Sequence, residues 1–260
     1  MTKKPAPINI CIAQLSNSFP NQNYFPYSAG VLQAYINKYS ADPGRYNMLL
    51  PLYQRLPIDT CVDHLRDANI AGFSTYVWNF ETSLEIAKRL KSIDPNKLIV
   101  FGGPHVPDRA QDFFKKYPFV DVAVHGEGER VFFQIVEAYP KRVWDDIPGI
   151  SFLDGNGIFV NNLKGDRLKE IDQIPSPYLE GTFAPLMDAN PNENWIVLWE
   201  TNRGCPFACT FCDWGSAVNS RVFFWDLKRL EAEIDWFSEN KIEYVYCCDA
   251  NFGITPRDVD

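Results

Sequence analysis

The first half of the chain repeats one pattern five times, a short β-rich run followed by a run with helical spacing of its apolar residues. Five such units with short connections predict a mostly parallel sheet with helices on both faces. The fold class expected is therefore α/β, a doubly wound, Rossmann-like and specifically flavodoxin-like domain. The predicted strands are 8–15, 46–52, 70–76, 97–101 and 120–124, and the predicted helices are 27–39, 59–67, 81–93, 107–117 and 129–139.

Small and polar residues follow the predicted strands at the end where such sheets bind ligands. Glycines at this edge let a bulky flat ligand approach the backbone, so we expect added bulk at Gly103 or Gly126 to collide with that ligand. Taken singly, each glycine is better explained by a plain turn or helix cap. The predicted cofactor-binding residues at this edge are Ser16, Ser74, Thr75, Gly102, Gly103, Pro104, His105, Gly126, Glu127, Gly128 and Glu129.

Three cysteines, Cys205, Cys209 and Cys212, follow one another at the spacing Cys-x3-Cys-x2-Cys. Three thiolates on one loop can hold three irons of a [4Fe–4S] cluster and leave the fourth iron open. A substrate or cofactor can coordinate an open iron, whereas an electron-transfer cluster normally has a fourth cysteine. The alternative is a structural zinc site, which needs a fourth ligand such as Cys247 or Cys248.

The cysteine segment resembles the cluster loop of the radical S-adenosylmethionine (SAM) superfamily. In that family the open iron chelates SAM, and the reduced cluster cleaves SAM to methionine and a 5′-deoxyadenosyl radical. The resemblance implies that the three cysteines hold the cluster and that Phe211 lies beside the adenine. It also implies that Asp249 and Asn251, after a predicted strand, help to position SAM, although an Asx turn would account for both.

Two other segments, Val100 to His105 and Gly126 to Glu129, resemble the cobalamin-binding domain that precedes many radical SAM cores. The resemblance implies a cobalamin (B12) cofactor at the sheet edge described above. The chain lacks the Asp-x-His-x-x-Gly motif that supplies a cobalt ligand in mutase-type domains. We therefore expect cobalamin to be bound without a histidine ligand.

The resemblance also predicts how the chain is divided. Residues 1–143 form the cobalamin-binding domain, and residues 144–194 form a connecting region with a hairpin and a proline-rich tether. Residues 195–260 form the start of a radical SAM partial (β/α) barrel. This last segment is long enough for one βαβ unit, so we expect an incomplete core that belongs to a longer enzyme or to one half of a split enzyme.

Composition excludes several other classes of protein. The net charge of -8, without a basic stripe, argues against nucleic-acid binding. No apolar run reaches about 18 residues and the N-terminus lacks an apolar signal core, so no membrane segment is expected. Seven cysteines, an odd number, do not indicate a disulfide framework, and a reducing cytoplasmic location is expected.

The function expected from these features is that of a cobalamin-dependent radical SAM enzyme which transfers a methyl group to an unactivated carbon. The alternatives are a radical SAM cyclase or rearrangement enzyme, a non-catalytic fragment that binds cobalamin and a cluster, and a structural zinc protein. The expected partners are an electron donor such as flavodoxin or ferredoxin, a small-molecule or peptide substrate, and a separately encoded C-terminal half.

Overall fold

The computed structural model describes residues 6–17, 22–163, 165, 167–207, 209–212 and 221–253 of the 260-residue chain. The strands are β1 (Ile8–Ala13), β2 (Gln22–Tyr24), β3 (Tyr46–Met48), β4 (Ile70–Ser74), β5 (Leu98–Gly102), β6 (Val122–Val124), β7 (Ile150–Leu153), β8 (Phe159–Asn161), β9 (Asn194–Trp199), β10 (Asn202–Arg203), β11 (Phe223–Phe224) and β12 (Tyr244–Cys247). The helices are α1 (Tyr27–Tyr39), α2 (Ile58–His64), α3 (Phe80–Ile93), α4 (Gln111–Lys116), α5 (Glu129–Ala138), α6 (Ala184–Ala189) and α7 (Leu227–Glu239).

The larger sheet has seven strands in the order β3-β1-β4-β5-β6-β7-β8. Its first five strands are parallel, and the β7–β8 hairpin is added antiparallel at the edge of β6. Strand β1 has β3 on one side and β4 on the other, so the chain order reverses beside β1 and opens a crevice at the carboxyl edge. This arrangement confirms the predicted doubly wound α/β fold.

Helices cover both faces of this sheet. Successive side chains of a strand point to opposite faces, so alternate residues of β1 lie in different cores. Cys11 and Ala13 of β1 lie in the core formed with α2, α3 and α4. Ile10 and Ile12 of the same strand lie in the core formed with α1 and α5. The central strands are therefore buried on both sides, as expected for a parallel sheet.

A second, three-stranded parallel sheet has the order β12-β9-β2 and carries the cysteine loop after β9. Its strand β2 was not predicted, because three residues are too few to show an alternating pattern. Phe25, directly after β2, stacks on Trp195 and on Phe183 with ring centroids 4.6 Å apart in each pair. The short segment between β1 and α1 thus contributes β2 and Phe25 to the sheet that carries the cysteine loop.

Two predictions about the remaining elements have different outcomes. The predicted hairpin is confirmed, and its turn is closed by the Asp154 carboxylate, which accepts hydrogen bonds from the N–H groups of Asn156 at 2.9 Å and Ile158 at 2.8 Å. The predicted helix start at Pro107 is wrong, because α4 begins only at Gln111 and the backbone before it is held in turns.

The domain boundaries stay predictions. None of the helices in the described ranges combines the length and apolar character that a bilayer span requires.

Candidate functional site

A cavity of about 300 Å³ lies at the carboxyl edge of the parallel strands, on the face covered by α1 and α5. Its wall includes Tyr27 and Ser28 at the start of α1, and Glu200, Arg203 and Cys248 from the segments around the second sheet. The cavity is thus bordered by the ends of both sheets. Six of the predicted cofactor-binding residues line it, namely Ser74, Gly102, Gly103, Gly126, Gly128 and Glu129.

The glycines in the wall serve different purposes. A Cβ on Gly102 would meet only Val124 Cβ, at 3.6 Å, so glycine here leaves open space. Gly103 has φ +102°, and a Cβ there would lie 2.6 Å from the backbone oxygen of Thr75. A Cβ at Gly103 would therefore collide with the protein's own backbone, and the predicted collision of added bulk with a ligand at Gly103 or Gly126 stays a prediction. Gly126 also has a left-handed φ, +84°.

The other predicted residues of this edge lie outside the lining of the cavity. Thr75 is fully buried, and its hydroxyl donates to the carbonyl of Gly102 at 2.9 Å, which fixes the two strand ends together. His105 is exposed and packs its ring edge-on against Phe80 at 4.4 Å. Three further residues that stand outside the lining are Ser16, Pro104 and Glu127.

None of the three histidines, His64, His105 and His125, is among the residues that line the cavity. His125 Nε2 lies 2.8 Å from the hydroxyl of Ser151, and His64 Nε2 lies 2.8 Å from the carbonyl of Leu50. The expectation of cobalamin without a histidine ligand stays a prediction.

The three predicted cluster ligands are on one loop but differ in exposure. Cys205 is buried, Cys212 is half-buried and Cys209 is exposed. The N–H of Cys212 donates to the carbonyl of Cys209 at 3.1 Å, so the loop turns between them. Among the described residues, no three His, Cys, Asp or Glu side chains are already gathered as a metal site. Phe211, predicted beside the adenine, is 91% exposed.

Asn251 holds the first of these cysteines. Its side-chain amide donates to Cys205 Sγ at 2.9 Å, and its backbone carbonyl accepts from Asn202 Nδ2 at 3.3 Å. This contact ties the sulfur of the first cysteine to the segment that follows β12. Three cysteine thiols on one loop are a donor set that fits an iron–sulfur cluster, and Asn251 contacts one of these predicted ligands.

Asp249 joins the end of β12 to the segment before the loop. Its carboxylate accepts hydrogen bonds from the N–H groups of Thr201 at 2.7 Å and Asn202 at 3.2 Å, and from Asn202 Nδ2 at 2.9 Å. The hydroxyl of Thr201 also donates to it. Both oxygens are thus engaged within the protein, and the contact of Asp249 with SAM stays a prediction.

Arg203, two residues before the first cysteine, connects this loop to α5 beside the larger sheet. Its Nε and Nη2 donate to the two oxygens of Glu200 at 3.0 and 2.8 Å, and its Nη1 lies 3.0 Å from Glu129 Oε1. Burial opposes the charge of Arg203, but Glu129 and Glu200 outweigh it and hold the pKa of the guanidinium well above its usual range. Glu127 is held in turn by Arg167 Nε at 3.1 Å. Sequence reasoning did not find this pairing, because no local pattern joins residues about 75 positions apart.

Comparisons with known proteins identify the family of the chain. A B12-binding domain model matches residues 53–136, which span β4, β5 and β6 and their helices. The cobalamin-dependent radical SAM methyltransferase TokK of Streptomyces tokunonensis is 38% identical over 250 residues, 94% of this chain and 36% of that protein. The chain belongs to the radical SAM proteins that carry a cobalamin-binding domain.

Other relatives of this radical SAM protein include a methyltransferase and a cyclase. The 2-(S-pantetheinyl)-carbapenam-3-carboxylate methyltransferase of Streptantibioticus cattleyicolor is 38% identical over 91% of this chain and 35% of its own length. The anaerobic magnesium-protoporphyrin IX monomethyl ester cyclase of Cereibacter sphaeroides is 30% identical over 58% of this chain and 25% of its own length. The chain thus spans about a third of the length of the methyltransferases that it matches.

Solved structures share its fold. The cobalamin-dependent radical SAM enzyme OxsB, with aqua-cobalamin and SAM bound, has a TM-score of 0.74 at 20% identity, over 97% of this chain and 35% of that one. The methyltransferase TsrM from Kitasatospora setae, with cobalamin and a [4Fe–4S] cluster bound, has a TM-score of 0.69 at 14% identity, over 97% and 49%.

Proposed function

We propose that this radical SAM protein binds cobalamin in the cavity and a [4Fe–4S] cluster through Cys205, Cys209 and Cys212, with SAM at the open iron. The observation that carries the proposal is that residues from two different parts of the chain line the same cavity. Glycine-rich strand ends of the B12-type sheet form one side, and Glu200 and Arg203, next to the cysteine loop, form the other. A cofactor in this cavity lies beside the loop that would hold the cluster.

The chain's own residues suit these roles. Gly102 leaves room for a flat ring, and the buried network around Arg203 borders the cavity with fixed charges. Asn251 directs its amide at Cys205 and so holds the sulfur of one proposed cluster ligand in place. When bound, the reduced cluster supplies the electron that cleaves SAM, and cobalamin supplies methyl-transfer chemistry.

The reaction we propose is transfer of a methyl group to an unactivated carbon of a small molecule or peptide. Support comes from the relatives whose names state methyl transfer, at 38% identity. A radical cyclase is the second candidate, favoured by the similarity to the magnesium-protoporphyrin cyclase. A third candidate is a non-catalytic role in which the chain binds both cofactors without turnover.

The proposed partners are an electron donor such as flavodoxin or ferredoxin and a separately encoded C-terminal half. Support for the second partner comes from β12, the edge strand of the smaller sheet. Tyr244, Val245 and Tyr246 are 56%, 46% and 60% exposed along that strand. Further parallel strands added beside β12 would reduce the exposure of these side chains and pair the edge of β12 that has no partner strand among the described residues.

Cofactor analysis after anaerobic reconstitution tests the cluster assignment. We expect about four irons and four sulfides per chain with absorbance near 400 nm, and loss of most of this iron in Cys205→Ala, Cys209→Ala and Cys212→Ala. Cys247→Ala, a half-buried thiol outside the loop, is the matched control and keeps its iron. Stoichiometric zinc in place of iron, or a stable cluster in Cys209→Ala, would overturn the assignment.

A further inference from the structure

A buried network of charges joins the two walls of the cavity. Arg203 belongs to β10, which leads into the cysteine loop, and Glu129 is the first residue of α5, directly after the Gly126–Gly128 turn. Their side chains are 15% and 9% exposed, and Arg203 Nη1 lies 3.0 Å from Glu129 Oε1. The pair therefore fixes the cluster side of the cavity against the cobalamin side.

The Arg203 guanidinium uses all three of its nitrogen atoms in this link. Nε and Nη2 are taken by Glu200, which leaves Nη1 to reach Glu129 and, at 3.9 Å, Glu127. Lysine carries one ammonium and cannot donate in a plane to two carboxylates on opposite walls. Glu127 is itself fixed by Arg167, whose Nη2 also donates to the backbone carbonyl of Arg203 at 3.4 Å.

Stability alone is a poor explanation for this network. Two buried charges lose their hydration, and replacing such a pair with apolar side chains is often neutral or stabilising. Here Glu129 Oε2 is enclosed and has no hydrogen-bond partner among the described residues, which adds to the cost. Burying Arg203 and Glu129 costs free energy, and the pair bridges two walls of the cavity. Its presence is better explained by the fixed distance that it sets between those walls.

We propose that Arg203 is a positioning residue, which together with Glu129 sets the spacing between the cofactor cavity and the cluster loop. This inference rests on the proposed function, since it assigns cobalamin to the cavity and the cluster to the loop. Arg203 is not proposed as a ligand of the iron or of cobalamin. Its role is to hold the cysteine loop at a fixed position relative to the Gly126–Gly128 turn.

Magnetic coupling between the two cofactors measures this spacing directly. The full chain is loaded with iron, sulfide and hydroxocobalamin and reduced, so that cob(II)alamin and the reduced cluster both carry an unpaired spin. Dipolar coupling falls with the cube of the distance, so a single spacing gives a resolved splitting and a spread of spacings removes it. We expect the splitting in the wild-type protein and its loss in Arg203→Lys and Glu129→Gln, with both cofactors still bound.

The matched controls are Arg45→Lys and Glu137→Gln. These two residues form an ion pair at 3.7 Å, with Glu137 on the same helix α5 but outside the cavity wall. Both controls keep the wild-type splitting. Thermal unfolding is measured alongside, and if Arg203→Lys does not fold, Glu129→Gln, which keeps the size of the side chain, decides the outcome.

A cofactor-free measurement gives a second test. In the apo protein, loss of the link lets the loop open, and we expect alkylation of the buried Cys205 to become about fivefold faster or more in Glu129→Gln, but unchanged in Glu137→Gln. Wild-type splitting and wild-type alkylation in both cavity variants would overturn the inference and leave the proposed function intact. A wild-type protein that holds no cobalamin or no cluster would overturn the proposed function, and the inference with it.

Discussion

Adjacent glycines at the end of β5 have different physical reasons for being glycine. Gly102 lies in open space, whereas Gly103 has a left-handed φ and no room for a Cβ beside the backbone of Thr75. We expect Gly103→Ala to lower the free energy of unfolding by about 1–3 kcal/mol. Gly155→Ala, where a Cβ meets nothing within 4 Å, is the control and changes it by less than about 0.5 kcal/mol. Urea unfolding followed by circular dichroism measures both, and equal losses would contradict the strain at Gly103.

The buried thiol of Cys11 makes the stability of the fold depend on pH. Burial raises the pKa of the Cys11 thiol from 9.0 to about 12. The unfolded chain therefore releases this proton at lower pH than the folded protein does, and the stability that Cys11 contributes below about pH 9 is lost as the pH rises toward 12. We expect a smaller drop in unfolding free energy between pH 8 and pH 10.5 for Cys11→Ala than for wild type. An identical drop would show that Cys11 does not titrate as its burial requires.

At the scale of elements, the end of β12 is tied to the segment before the cysteine loop by one carboxylate. Asp249→Ala leaves the N–H groups of Thr201 and Asn202 without their acceptor, at a cost of about 1–3 kcal/mol. We expect lower unfolding free energy and reduced iron content, measured after reconstitution. Asp188→Ala, at an exposed aspartate, is the control and retains both. Normal iron content in Asp249→Ala would mean that the loop keeps its place without this tie.

Element-scale structure was predictable where the sequence is periodic and failed where it is not. The long amphipathic helix α3 and the buried runs of β4 and β5 follow from their apolar spacing. Strands β2 and β10 have three and two residues, and their pairing is decided by contacts with distant segments. The cysteine spacing is a local pattern, so it predicted a cluster loop. The hydrogen bond from Asn251 to Cys205 joins residues that are distant in the sequence, so only the fold reveals it.

At the scale of the whole molecule, catalysis requires that SAM be clamped and shielded from water. In the described part of the chain the loop is flanked by β9, α7 and β12, which form one side of such an enclosure. We expect very slow or no 5′-deoxyadenosine formation by the 260-residue chain alone, and faster formation when a C-terminal half is added. Reductant-driven SAM cleavage followed by chromatography measures this. Multiple turnovers by the chain alone would show that this enclosure is sufficient.

A spectrophotometric cobalamin titration of wild type and Gly102→Leu tests most directly whether the cavity holds cobalamin. Wild type is predicted to bind with a base-off spectrum that His105→Ala and His125→Ala leave unchanged. Gly102→Leu fills the open space in the wall and is predicted to weaken binding by about tenfold or more, equivalent to about 1.4 kcal/mol, at an unchanged melting temperature. Equal affinity of wild type and Gly102→Leu would contradict the account.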